Sequence, residues 1–487
     1  MNLKRFYCFK MADLYPIPQR INKEILLLKS KSSTNQPLKK RLENYKTDII
    51  ATYQLALPII AGQLGIMLMG FADTVQVGRM DKGAVQALAA SADANGMVIN
   101  IAIIGYICLQ IIAPLVSKAQ AESNYAECHR LLRANILVAV LMSVFCIIVI
   151  LLISFNMGVL KQPIEIQSLT QQYLWIVTIS LIPSFIFTSI KSFTDGLGFA
   201  NLSMKITLSA LILNIILNHC FINGIWFFPA WGLNGAGVAT LISRIYMALA
   251  LAYFTFKTTL FKQYLQPLNA TKKVNDLIKY ILKIGLPSGF QGFSEIAAFY
   301  GAVVMMGWIS IEHKAAHLVA IGYVSLTYMA ATGIAAAGGI RVGAAVGEKS
   351  RTAIFKAGTT ALVMGFIFMG ICAVFLLIFN VEFASYVRDE KVIMLAAELI
   401  IWGGFFQLFD GVQAVSLGIL RGMQDVNVPT LITIFAYWGV GLPMSYILGF
   451  QYDMKHIGIW IGLTLALFAS ASLLSWRFYN KVKRIEL

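Results

Sequence analysis

Charge is what this sequence has least of. Only 13% of its 487 residues are Asp, Glu, Lys or Arg, against about 25% in a soluble globular chain. Apolar residues stand at 58%, and mean hydropathy is +0.73. So small a polar stock cannot clothe a water-facing surface. That excludes a string of soluble domains. It also excludes disorder, which goes with low hydrophobicity and high charge. Cysteine is sparse, and Cys8, Cys108, Cys128, Cys146, Cys220 and Cys372 show no CxxC and no metal-ligand spacing. Most lie in apolar runs and read as small buried side chains, not as a disulfide scaffold. Enzyme motifs are lacking as well. No Walker A loop, HExxH or GxSxG occurs, and each would mark a defined chemistry. The glycine fragment at 196–198 has no strand before it and reads as a turn. No enzyme and no cofactor are expected.

What is present is long apolar helix. Runs of about 18–25 apolar residues mark spanning helices. Twelve occur, near 50–75, 92–116, 132–155, 169–190, 203–222, 233–256, 281–307, 315–340, 357–380, 392–416, 428–450 and 456–476. A strand barrel would instead alternate over segments of about ten residues. The expected fold is therefore an all-α polytopic membrane protein with 12 transmembrane helices.

Net charge is +16. In a soluble domain that would suggest nucleic acid. Here it fits the Lys/Arg excess of cytoplasmic loops, and no nucleic-acid partner is expected. With the N-terminus inside, inside segments hold 31 Lys/Arg and outside loops hold 7; Arg244 lies within span 6. Both termini are expected in the cytoplasm. Residues 1–46 carry eleven Lys/Arg and lack the apolar core of a signal peptide. They read as a basic cytoplasmic tail, with Met11 as a possible second start. Residues 47–256 would form one lobe of six spans, 257–280 a cytoplasmic linker, 281–480 a second lobe, and 481–487 the C-terminus.

The halves resemble each other. Ala56-Leu57-Pro58 opens span 1, and Gly285-Leu286-Pro287 opens span 7, an offset of 229. Glu122 and Glu348 are offset by 226, as are Gly196 and Gly422. Each half starts inside and has an even number of spans, so the repeats are parallel. Parallel repeats build transporters whose two lobes rock about a central cavity. Duplication without transport remains the other reading of the repeat.

An ionisable group inside a span costs at least about 2.5–3.5 kcal/mol by insertion scales. Asp73 in span 1, Glu295 in span 7 and Asp410 in span 10 are such groups. Asp93 and Glu398 lie nearer span ends, where snorkelling is cheap. Ser288, Gln291 and Glu295 share one helical face, as do Asn214 and Asn218 in span 5. Carboxylates and carboxamides are hard oxygen ligands, suited to Na⁺, and an acid can hold a proton instead. A possible Na⁺ site would use Glu295, Asp410, Asn214 and Asn218. Interhelical hydrogen bonding accounts equally well for the two asparagines. Gln407 lies one turn before Asp410. Pro58, Pro287, Pro114 and Pro183 are candidate kinks. Arg244 needs a partner, and His219 reads as packed or interfacial. Tyr, Phe and Met side chains suit a cavity for flat cations, and equally well face lipid.

Several segments are similar to one family. FADTVQVGRM at 71–80 resembles the DTxxVG signature that ends span 1 in the multidrug and toxic compound extrusion (MATE) family. GLPSGFQGFSEIAAF at 285–299 resembles its span 7. The segment 315–348, with its IRVG ending, resembles its span 8. LILNIILNHCFI with GLNGAGVAT resembles spans 5–6; GILRGMQDVNVPT at 418–430 and GLPMSYILG at 441–449 resemble spans 10–11. The resemblance runs over about 47–480. It implies a 12-helix exporter of two six-helix lobes that expels organic cations, drugs and dyes in exchange for Na⁺ or H⁺. Asp73, Glu295 and Asp410 match coupling positions of the NorM-type branch, and Asn214 and Asn218 match its span-5 asparagines. With Gln291 they form the expected set for coupling ion and substrate. Acids in both lobes resemble that branch and not the DinF-like one. The implied setting is the plasma (inner) membrane, and one chain holding both repeats suggests a monomer. A lipid-linked oligosaccharide flippase of a related superfamily is the rival; such proteins tend to have basic cavities and often fourteen spans.

Overall fold

The computed structural model describes residues 38–155, 164–225, 229–265 and 274–485. Most of the basic tail, Lys161, the middle of the 257–280 linker and the last two residues lie outside these. Two units are distinguished, Met1–Thr47 and Asp48–Leu487. Among the described residues everything regular is helix. Twelve helices are long and apolar enough to cross a membrane: Tyr45–Gly78, Ala84–Ala121, Tyr125–Ser154, Ile166–Gly196, Ala200–Asn223, Leu233–Lys257, Val274–Ile309, Ile311–Gly347, Arg351–Ile378, Glu390–Gly422, Asn427–Gln451 and Lys455–Lys483. They are spans 1 to 12. Each overlaps its expected run and extends beyond it, because the helices continue into their polar ends.

Local chemistry sets many of the ends. Asn124 accepts the backbone N–H of Glu127 at 3.2 Å and starts span 3. Ser310 accepts that of His313 at 3.3 Å and starts span 8. Ser350 and Asp389 do the same for spans 9 and 10. Short polar side chains at these positions satisfy otherwise orphaned helix-end N–H groups. Proline acts at two of the four expected places. Span 2 is interrupted at Ile111 and span 4 at Ser180. Each break falls next to the residue whose carbonyl Pro114 or Pro183 would strike, four positions earlier. Pro58 and Pro287 instead sit inside helices that run on without a break.

The apolar faces are arranged for lipid. On span 3, Leu141, Phe145, Ile148 and Leu152 form an exposed stripe, while Val138, Ala139, Met142 and Cys146 are buried. Small residues let backbones approach closely in such packing. The repeat is visible in that geometry. A Cβ on Gly196 would lie 2.4 Å from the Ala113 carbonyl oxygen, and one on Gly422 would lie 2.5 Å from that of Gly339. Both partners are again 226 apart. So are Ser123 and Lys349, each at a left-handed φ just after spans 2 and 8, the conformation that closes helices at their C-termini. The chain therefore folds as two six-helix lobes with the same internal turns.

The lobes meet where spans 2 and 8 finish. A Cβ on Gly343 would lie 2.4 Å from the Pro114 carbonyl oxygen, and one on Gly347 the same distance from that of Lys118. At the other ends of spans 1, 2 and 8, Gly70, Gly96 and Gly322 have open space beside them. The lobes are thus fastened together at one end.

Candidate functional site

Asp73 lies on span 1 and faces spans 5 and 6. Its Oδ1 accepts from Asn218 Nδ2 at 2.6 Å, and its Oδ2 accepts from the Thr240 hydroxyl at 2.8 Å. Asn218 Nδ2 also points at Asn214 Oδ1 at 3.3 Å, and Asn214 Nδ2 reaches Thr240 Oγ1 at 3.4 Å. Asn214 and Asn218 are fully buried. The Oδ1 of Asn218 is buried with no hydrogen-bond partner. A carboxylate, two carboxamides and a hydroxyl thus surround one point in the first lobe, with one acceptor oxygen free.

Glu295 occupies a second centre in the other lobe. Its Oε2 accepts from Gln291 Nε2 at 2.8 Å, one turn away on span 7. Its Oε1 accepts from Gln413 Nε2 of span 10 at 3.1 Å and lies 3.2 Å from the Tyr437 hydroxyl of span 11. Tyr437 also lies 3.2 Å from Gln413 Oε1, so one proton serves two acceptors. Span 11 is π-helical over Phe435–Gly441. Such widened turns re-aim side chains and occur often at functional sites. Asp410 is buried on span 10 within electrostatic reach of Glu295, and no hydrogen bond joins the two. Arg421, at the end of span 10, donates to Gln291 Oε1 at 2.7 Å.

All six expected residues lie inside the bundle, but they divide between two centres. Asp73, Asn214 and Asn218 form the first; Gln291 and Glu295 bond in the second, with Asp410 nearby. Of the residues expected for a possible Na⁺ site, Asn214 and Asn218 lie in the first centre and Glu295 and Asp410 in the second. The asparagines bond to Asp73. Helical periodicity shows which residues share a face, not which helix that face meets. The asparagines do make interhelical hydrogen bonds, and they do so to a carboxylate. Among the described residues no three His, Cys, Asp or Glu side chains are grouped as for a metal ion. Thr240, Gln413, Tyr437 and Arg421 were not among the expected residues. Gln413 carried a signal, three positions after Asp410 on the same helix face. Thr240 and Tyr437 carried none, being ordinary residues in apolar runs. Arg244, left without a partner by the sequence, donates to Ser180 Oγ at 2.6 Å. His219 is exposed and lies 3.2 Å from the Asn223 carboxamide. Glu398 is mostly exposed, as expected near a span end, and lies 2.9 Å from His456.

The family model MatE matches residues 58–220 and 287–447, most of the chain. The chain belongs to the MatE family. The two MatE segments start at Pro58 and Pro287, the prolines of the repeat, so the family match and the internal repeat divide the chain alike. Both acid-bearing centres draw on these segments. A relative from Bacillus subtilis (strain 168), named "Probable multidrug resistance protein NorM", is 30% identical over 453 residues, covering 91% of this chain and 98% of that one. One of the same name from Rhizobium meliloti (strain 1021) is 29% identical over 457 residues, covering 91% and 96%. Among solved structures, a MATE protein in the straight conformation superposes with TM-score 0.81 at 18% identity, covering 90% of this chain and 96% of that one. A multidrug resistance MATE family transporter in an outward-facing conformation gives 0.80, also at 18% and over the same shares. The MatE fold thus persists across very different sequences, and the protein is a multi-pass membrane protein.

Proposed function

We propose that this protein is a secondary multidrug exporter. It expels lipophilic organic cations in exchange for Na⁺ or H⁺ by alternating access of its two lobes. It sits in the plasma (inner) membrane as a monomer with both termini in the cytoplasm. The Lys/Arg bias supports that orientation, and the NorM names of its relatives support the substrate class. The observation that carries the reading is one carboxylate centre within each lobe, the half-buried Asp73 in the first and the buried Glu295 with Asp410 in the second. Buried carboxylates attract either an organic cation or a coupling ion, and neutralising them removes that attraction. A ligand shifts a two-state equilibrium only through its differential affinity for the states, and charge neutralisation supplies one. By the charge bias, the fastened end is the cytoplasmic end, which corresponds to an outward-facing state. No enzyme chemistry is needed for such a cycle. The Asn218 oxygen without a partner favours a cation near Asp73, whether proton or Na⁺.

The test is ethidium movement in proteoliposomes under an imposed Na⁺ gradient and then a pH gradient. Transport driven by either supports the proposal and names the ion. No driven movement from folded protein overturns it.

A further inference from the structure

The three side chains that hydrogen-bond the Glu295 oxygens all do so as donors. Gln291 Nε2, Gln413 Nε2 and the Tyr437 hydroxyl all point at its two oxygens. That arrangement suits a bare carboxylate. A cation on Glu295 needs the reverse, an acceptor oxygen turned toward the site, whether to ligate Na⁺ or to receive the proton of a carboxylic acid.

One of the three donors is oriented from outside the cluster. Arginine has five N–H donors and no acceptor. Arg421 Nη2 contacts Gln291 through its Oε1 at 2.7 Å, so the nitrogen end of that carboxamide must face Glu295, as it does at 2.8 Å. The contact decides which end of the amide is which, a choice that shape alone does not make. Gln291 and Glu295 are both buried. Arg421 sits on span 10, the helix that also carries Asp410 and Gln413, so any shift of span 10 against span 7 would alter this bond.

We propose that Arg421 is a positioning residue that holds the Gln291 carboxamide nitrogen-first against Glu295, and that loading a coupling cation on Glu295 turns the amide oxygen-first and releases Arg421. This rests on the reading that Glu295 binds the coupling ion. The empty carboxylate is satisfied while Arg421 holds Gln291. The loaded one is satisfied when Gln291 turns over. Arg421 thereby keeps the ion from binding so tightly that it cannot leave. The other ionisable groups facing Glu295 are Asp410, Tyr328 and Tyr437, and all stay in place in the variants below.

The experiment measures the coupling-cation concentration that half-saturates ethidium exchange in proteoliposomes. It compares the wild type with R421Q, R421K, Q291L and the R421Q/Q291L pair. R421Q should lower that concentration about tenfold, the scale of one hydrogen bond to a charged group. R421K should return it toward wild type. In the Q291L background the R421Q change should largely vanish, since the amide it acts through is gone. An equal fold-change in both backgrounds would overturn the proposal, because Arg421 would then act by its charge alone. Q291M replaces Q291L if the latter does not fold. A second readout needs no transport: with ¹³C-labelled glutamine, infrared difference spectra on ion addition should show an amide carbonyl shift that Q291L abolishes. A shift that survives Q291L also overturns it. Absence of driven exchange in the wild type is a different result, and counts against the function and not against Arg421.

Discussion

Arg341 of span 8 reaches across to the start of span 1 and donates to the Asp48 carbonyl oxygen at 2.7 Å. The same guanidinium bonds the Asp48 carboxylate and the Thr52 hydroxyl, the latter at 2.6 Å. One side chain thus ties the two lobes together near the end where Pro114 approaches Gly343. The position equivalent to Arg341 in the first lobe is Leu115, so the tie exists on one side of the repeat only.

Removing it should loosen that end. Arg341→Ala deletes charge-assisted hydrogen bonds worth about 1.5–3 kcal/mol each before compensation, so a roughly tenfold population shift toward separation is expected. Spin labels at Glu122 and Lys349, in a background with the native cysteines replaced by alanine, would report it as a longer distance component. An unchanged distance distribution would mean that the packing of spans 2 and 8 alone closes this end.

Gly196→Ala and Gly422→Ala should destabilise the protein similarly. Each new methyl would fall within 2.5 Å of a carbonyl oxygen on the neighbouring helix, and backbone cannot yield as a flexible side chain does. Overpacking of this kind costs about 1–3 kcal/mol. Thermal unfolding of the purified protein in detergent checks it; a wild-type melting point for either variant would contradict the geometry.

Asp73→Asn should abolish gradient-driven ethidium exchange. Thr240→Val should reduce it about tenfold, since it leaves the half-buried Asp73 Oδ2 without its 2.8 Å donor. Thr240→Ser keeps the hydroxyl and should retain most activity. Full exchange in Thr240→Val alongside an inactive Asp73→Asn would separate the bond from the function.

Tyr437→Phe should alter the half-saturating coupling-ion concentration several-fold with little change in ethidium affinity. The ring stays packed against Phe299, 5.6 Å away, and what is lost is the hydroxyl shared between Glu295 and Gln413. A change confined to ethidium affinity would place Tyr437 in the substrate path instead.

Much of the fold was legible because a bilayer imposes few solutions. Apolar runs of spanning length must be helices, since backbone groups in lipid have no other partners. The repeat was legible because the turns that end spans 2, 4, 8 and 10 need particular residues, as at Gly196 and Gly422. The buried acids stood out against apolar runs. Their partners did not. Thr240 and Tyr437 are unremarkable in composition, and which acid the asparagines bond was not legible because a helix face does not name its neighbour.

By itself, then, the sequence determined the twelve spans, the two parallel lobes and the acids inside them. All of these follow from local terms, namely run length, period and the desolvation cost of charge. Tertiary structure alone decided that the acids form two centres, that Arg421 orients Gln291, and that Arg341 fastens one end. These depend on which faces meet across distant parts of the chain, and the direction of a hydrogen bond is settled only when donor and acceptor are brought within about 3 Å.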